Sequence, residues 1–306
     1  MIIKYCAAAI FLVVTFVMSA ACSAADQTKP NYIFAMRLTG MSSSDQAQMK
    51  NMITEIGKIL SKRENFTISI KYYNDDEVFM KDALGGKMDF VFTPSKYFVY
   101  VLLKKKKYDA LYTYSVLGLK GEKWCFYVNA KRGFKSIADL KNKKIVMTNG
   151  RDDYYECRKL IESNPLDYFM TIINPADILS AFYEMSMNGY DAVFASELGY
   201  KNMKFTNPGP VKDVEPILCT ELLPFNPFLV SKKVPKQTAI RFRDILITAH
   251  KDEDFRTYWP LLKNFKIKFV EMSNDDFKPY IMLFEDGMKK GWEMDYQRFN
   301  RLVKPK

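Results

Sequence analysis

Two short stretches of this chain bring together the groups that hold a polar solute. Thr93, Ser95 and Tyr97 follow the apolar run 90–92, and Thr148, Asn149, Gly150 and Arg151 follow the run 144–147. Hydroxyls and side-chain amides both donate and accept, and glycine lets backbone amides approach a ligand closely. The guanidinium of Arg151 can hold a carboxylate or phosphate bidentately, or pair with a neighbouring acid. Tyr154 offers aromatic area with a polar tip, although one of the pair Tyr154–Tyr155 belongs in a core at helical spacing. Glu197, just past a third apolar run, favours a cationic or hydroxylated ligand, and Asn226 lies between two prolines.

Catalytic chemistry finds little support. The only histidine is His250, in a late helical stretch, which removes most histidine-based acid–base and nucleophilic schemes. The pairs Asp75-Asp76 and Asp152-Asp153 fit helix N-terminal capping. Gly85-Gly86 lacks the lysine and hydroxyl of a phosphate-cradling loop, and no cysteine or histidine spacing suits a transition metal. The expectation is a binding protein without catalytic groups, cofactor or metal.

The elements that must position these residues repeat. Residues 79–95 and 181–197 each read as a helix end, a glycine, an aspartate (Asp89 or Asp191), a short apolar strand and a polar cluster. Continuous apolar runs suit strands buried on both faces, and open α/β sheets place ligands past the carboxyl ends of such strands. The echo therefore predicts an α/β fold of two lobes, each a mostly parallel sheet flanked by helices, closing as a clamp. In the first lobe, strands at 31–38, 67–72 and 90–92 alternate with helices at 43–60, 75–84 and 94–103. Residues 110–119 read as a crossover, and 124–129 as the first strand of the second lobe. There, a short capped helix at 136–140 precedes a strand at 144–148, and helices at 153–162 and 175–187 lead to a strand at 192–195. A second crossover spans 218–230, and helices at 237–251, 255–263 and 274–290 are expected to pack back onto the first lobe. The division is then 1–25 as a signal, 31–115 as the first lobe, 120–217 as the second, and 218–306 as the return and C-terminal helices. Two crossovers between packed bodies make a hinge.

Lys4, an apolar run over 7–17 and small residues over 19–25 form a secretory signal in a chain of 306 residues. Two processing readings fit: cleavage before Asp26, or lipidation at Cys22 in the lipobox-like Ser19-Ala-Ala-Cys22. The protein is expected to be periplasmic or otherwise extracytoplasmic, touching the membrane only through such an anchor, and monomeric. Cys125, Cys157 and Cys219 specify no disulfide framework; the plain reading is buried thiols, with one bridge left open. The net charge of +11 suits anionic ligands, acidic partners or membrane surfaces, while no basic–aromatic module points to nucleic acid.

In order and spacing, four segments resemble the phosphonate-type periplasmic solute-binding proteins of ABC importers, a branch of the class II binding-protein fold. They are Gly86-Lys-Met-Asp-Phe-Val-Phe-Thr-Pro-Ser-Lys-Tyr97, residues 134–146, Asn188-Gly-Tyr-Asp-Ala192, and Leu223-Pro-Phe-Asn-Pro-Phe-Leu-Val230. The resemblance implies a small ligand held between the lobes, Tyr97 as a cleft tyrosine, and a membrane permease as partner. Where the family places a hydroxyl-rich turn, this chain has Thr148 followed by Asn-Gly-Arg-Asp-Asp-Tyr-Tyr155, so Asp152 and Asp153 bring negative charge to an anion's seat. Ligands therefore divide into a phosphate- or phosphonate-like oxyanion, another organic solute, and a larger apolar or amphipathic molecule such as a lipid. An exported sensor subunit is the alternative role.

Overall fold

Parallel pairing begins at the first strand. β1 (Asn31–Arg37) runs beside β2 (Thr67–Tyr73) on one side and β3 (Phe90–Phe92) on the other, joined by α1 (Ser43–Arg63) and α2 (Asp76–Leu84). The computed structural model describes residues 29–38, 43–147, 150–175, 177–258 and 266–303. The expected signal, Cys22, Thr148 and Asn149 lie outside the described residues. α1 turns Met52, Ile53, Ile56 and Leu60 inward at helical spacing, onto the face of β1 and β2. Asp75 caps α2 by accepting from the Val78 amide at 2.9 Å.

α3 (Lys96–Lys104) leads from β3 to β4 (Tyr108–Ser115). The region expected as a plain crossover is thus a strand of the first sheet in its own right. Tyr108 and the run Leu111, Tyr112 and Thr113 are buried because β4 is flanked by strands on both sides. The first sheet has the order β13-β4-β12-β3-β1-β2, where β12 is Phe228–Ser231 and β13 is Lys268–Glu271. β12 and β13 pair antiparallel with their neighbours, which makes the sheet mixed.

The chain crosses through β5 (Gly121–Glu122) into β6 (Trp124–Asn129). β7 (Lys144–Met147) leads through α4 (Arg151–Ile161) and the short α5 (Pro165–Tyr168) to β8 (Thr171–Ile173). α6 (Ile178–Met187), β9 (Ala192–Ser196) and α7 (Glu197–Thr206) follow, and β10 (Val214–Cys219) closes the excursion. The second sheet, β10-β6-β9-β7-β8, is parallel across β7, β8 and β9 and antiparallel at the strands that enter and leave it. Both sheets are therefore mixed, because the outgoing and returning chain segments join them as antiparallel strands.

Between the sheets, β5 pairs antiparallel with β11 (Leu223–Pro224) as a two-stranded ribbon. A side chain at Gly121 would put its Cβ 2.1 Å from the Leu223 carbonyl oxygen, so only glycine allows the two connections to lie together. Next to the ribbon, Cys125 and Cys219 face one another across β6 and β10 and form a disulfide. The thiol reading of these two is corrected: adjacent antiparallel strands bring residues 94 apart into bonding distance, a pairing that only the β6–β10 register reveals. Among the described residues, Cys157 is the one buried thiol.

The sequence echo corresponds to one joint built twice. Asp89 accepts from the Ile33 amide (2.7 Å) and donates its own amide to the Ile33 carbonyl (3.0 Å). Asp191 does the same with Lys144, at 2.8 and 2.7 Å. Each aspartate stitches the beginning of an echo strand to its parallel neighbour, and each is paired with a cation, Lys233 or Arg132. The preceding glycines, Gly86 and Gly189, both have φ of 73°, the left-handed stop the helices require.

After α8 (Lys236–Thr248) and α9 (Glu253–Tyr258), the last helices are α10 (Lys278–Lys289) and α11 (Trp292–Leu302). α10 packs on both α3 and α4, and α11 packs on α4. α10 thus packs on helices attached to both sheets, and it buries Tyr280, Leu283 and Phe284 in a cluster that also holds Tyr154, Tyr155 and Ala35. α11 lies beyond the last expected helix; Gly291, at φ 75°, ends α10 and permits the sharp change of direction. Among the described residues, no helix is long and apolar enough to cross a membrane.

Candidate functional site

The N-termini of α3 and α4 meet where the two sheets face each other. Ser95 occupies the N-cap of α3 but makes no side-chain cap bond. The capping carboxylate comes from the other side of the seam: Asp152 accepts from the amides of Lys96 (2.8 Å) and Tyr97 (2.9 Å). Free amides at a helix start carry partial positive charge, so an oxyanion is the chemistry they hold.

The Lys96 side chain then enters a buried charged cluster. Its ammonium lies 3.4 Å from Glu156 and 4.0 Å from Glu122, and 4.9 and 5.0 Å from the ring centres of Trp124 and Tyr280. Tyr280 donates to Oε1 of Glu156 at 2.7 Å, whereas Oε2 has no partner among the described residues. The buried indole N–H of Trp124 likewise finds no partner among the described residues. Asp152 and Asp153 add to the field at this point.

Four carboxyl groups surround one ammonium, and their protonation follows from that excess. Burial works against charge on Lys96, but Glu156, Glu122, Asp152 and Asp153 outweigh it and raise its pKa. Burial pushes Glu156 up to about 7 despite Lys96 and Tyr280, and pushes Asp153 well above the carboxylate range. The cluster therefore keeps its cation charged and retains carboxyl protons.

The residues singled out from the sequence take different places around this centre. Thr93 is buried, and its hydroxyl accepts from the Ser95 amide at 3.2 Å. Asn226 donates to the Thr93 carbonyl at 2.8 Å while its own carbonyl receives Thr113, tying β3, β4 and the return segment together. Tyr97 packs edge-on against Phe284 and lies under the Arg151 guanidinium, 3.9 Å from its ring centre. Arg151 is also paired with Glu293 at 3.1 Å, so its charge is already met within the chain. Gly150 is the N-cap of α4. Tyr154 is fully buried against Tyr296 and Phe299, with its hydroxyl accepting from Arg158; it is core, as is Tyr155. Glu197 starts α7 and pairs with Lys201 at 2.8 Å, a helix-end ion pair outside the cluster.

Sequence reasoning passed over Lys96, Glu156 and Tyr280. A signal existed for one of them: Asp153 and Glu156 stand three apart on the same helix face as Cys157 and Ile161, which is an unusual place for acids.

The family described as "ABC transporter, phosphonate, periplasmic substrate-binding protein" matches residues 38–277. The chain belongs to this family, whose members are non-enzymatic binding components of importers. Such a component implies a small ligand and a membrane permease as partner. No curated protein matches the chain. Among solved structures, a binding protein of an ABC phosphonate transporter from Pseudomonas aeruginosa superposes with a TM-score of 0.61, at 14% identity, covering 89% of this chain and 88% of its own. PhnD1 from Prochlorococcus marinus in complex with methylphosphonate gives 0.63 at 12% identity, with coverages of 86% and 99%. XAC2383 from Xanthomonas citri bound to ATP gives 0.63 at 14% identity, with coverages of 90% and 99%. These likenesses establish the two-lobed fold.

Proposed function

We propose that the protein captures a small organic solute at the seam between the α3 and α4 N-termini and presents it to an importer permease outside the cytoplasm. The observation that carries this reading is the pairing of the α3 amides with Asp152 beside the unpartnered oxygen of Glu156. Polar groups from both lobes converge there, so a solute seated among them would favour the closed arrangement and shift the open–closed equilibrium. The sequence of the first 25 residues supports export, and Cys22 in its lipobox-like setting supports a lipid anchor.

A thermal-shift screen of the purified protein tests this. Phosphate, methylphosphonate, aliphatic sulfonates, amino acids, small amines and short-chain lipids form the panel. A ligand of the native state raises the melting temperature in proportion to the logarithm of its concentration once it is in excess. At least one small solute is expected to do so. Stabilisation by the lipids alone would replace solute capture with lipid binding, and an unmoved transition across the panel would speak for a sensor or interaction role.

A further inference from the structure

Resting on that reading, we propose that Asp152 is a specificity-determining residue: its carboxylate fills the oxyanion seat at the α3 N-terminus and excludes compact free oxyanions. Three observations converge on it. The two amides at the start of α3 are both taken by Asp152, at 2.8 and 2.9 Å, although Asp152 belongs to the opposite side of the seam. Ser95, the residue placed to cap this helix, leaves the position to it. Behind the seat, Glu156 is 1% exposed and has one oxygen without a partner.

An incoming phosphate or phosphonate would have to displace a covalently tethered competitor, whose local concentration no free anion reaches. It would also enter beside a single ammonium, Lys96, that four carboxyl groups already face, even though burial keeps protons on Asp153 and Glu156. The charge of Arg151 is shared with Glu293 and two tyrosine rings, which leaves only its buried Nε–H unpartnered among the described residues. The solutes compatible with a resident Asp152 are neutral or carry a cationic head, which the excess of carboxyl groups over Lys96 would favour. Seat and competitor are thus built into the same chain, and the charge of residue 152 selects the solute class.

Calorimetric titration of the wild type, Asp152→Asn and Asp152→Ser with inorganic phosphate and methylphosphonate tests the assignment. Circular dichroism melts of each protein verify folding. Wild type is expected to bind neither anion below millimolar concentration. Removing a unit charge next to the seat should improve anion affinity by roughly tenfold or more in at least one folded variant. Micromolar binding of either anion by the wild type overturns the proposal, and so does an anion affinity unchanged in every folded variant. Should the wild type bind none of the solutes in the thermal screen while a variant gains anion binding, solute capture by the wild type fails but the exclusion role stands.

Discussion

Replacing Lys96 by Met is expected to destabilise the protein by about 3–5 kcal/mol, the cost of leaving buried charge without its partner. The ammonium is the one cation inside the cluster of Glu156, Glu122, Asp152 and Asp153, and it is 5% exposed. Met retains the apolar length of the side chain, so the loss reports on charge. The pH dependence separates this from a packing defect. Glu156 rises in the folded state from its ordinary value of 4.5 to about 7, and Asp153 moves the same way. Between those values the native state holds protons that the unfolded chain has released, so stability falls as pH rises through the window. Without Lys96 the carboxyl groups resist ionisation further. Urea unfolding of Lys96→Met should then show a larger loss at pH 8 than at pH 5.5. Equal losses at both values would show that the ammonium does not balance the cluster.

The second large effect is expected at the neck of the second lobe. Cys125 and Cys219 close a loop spanning 94 residues, which contains nearly the whole second sheet and its helices. In the chain-entropy description, opening a loop of that length removes about 4.7 kcal/mol by freeing the unfolded state. The double variant Cys125→Ser/Cys219→Ser should lose about that much in oxidising buffer, and reductant should lower wild-type stability similarly while leaving the variant unchanged. A variant as stable as wild type would mean that the β5–β11 ribbon alone holds the neck.

The clamp was legible because its determinants are local. Helix stops at Gly86 and Gly189, buried strands at 90–92 and 192–195, and the aspartates before them all stand in short sequence windows. What the windows could not reveal was that Asp89 and Asp191 make the same bond to a strand some fifty residues away. The antiparallel half of each sheet and the disulfide were hidden for the same reason, since register is a long-range property. At the site, the sequence identified the right turns but not their partners. It marked Asp152 as negative charge where an anion would sit, while the amides that receive it are on another element. Tyr154 read as a cleft aromatic until α11 covered it with Tyr296 and Phe299, and no helix had been expected there. Nothing in the sequence around Lys96 marks it as buried; only the convergence of α3, α4, α10 and β6 buries it.

The central claim is that the solute binds at the seam between α3 and α4. Hydrogen–deuterium exchange with and without the best solute from the thermal screen tests it most directly. The account predicts that protection changes concentrate in residues 93–97 and 150–157, with the amides of Lys96 and Tyr97 among them. Protection confined instead to the open hollow lined by Lys120, Leu222, Glu271 and Asp276 would contradict it.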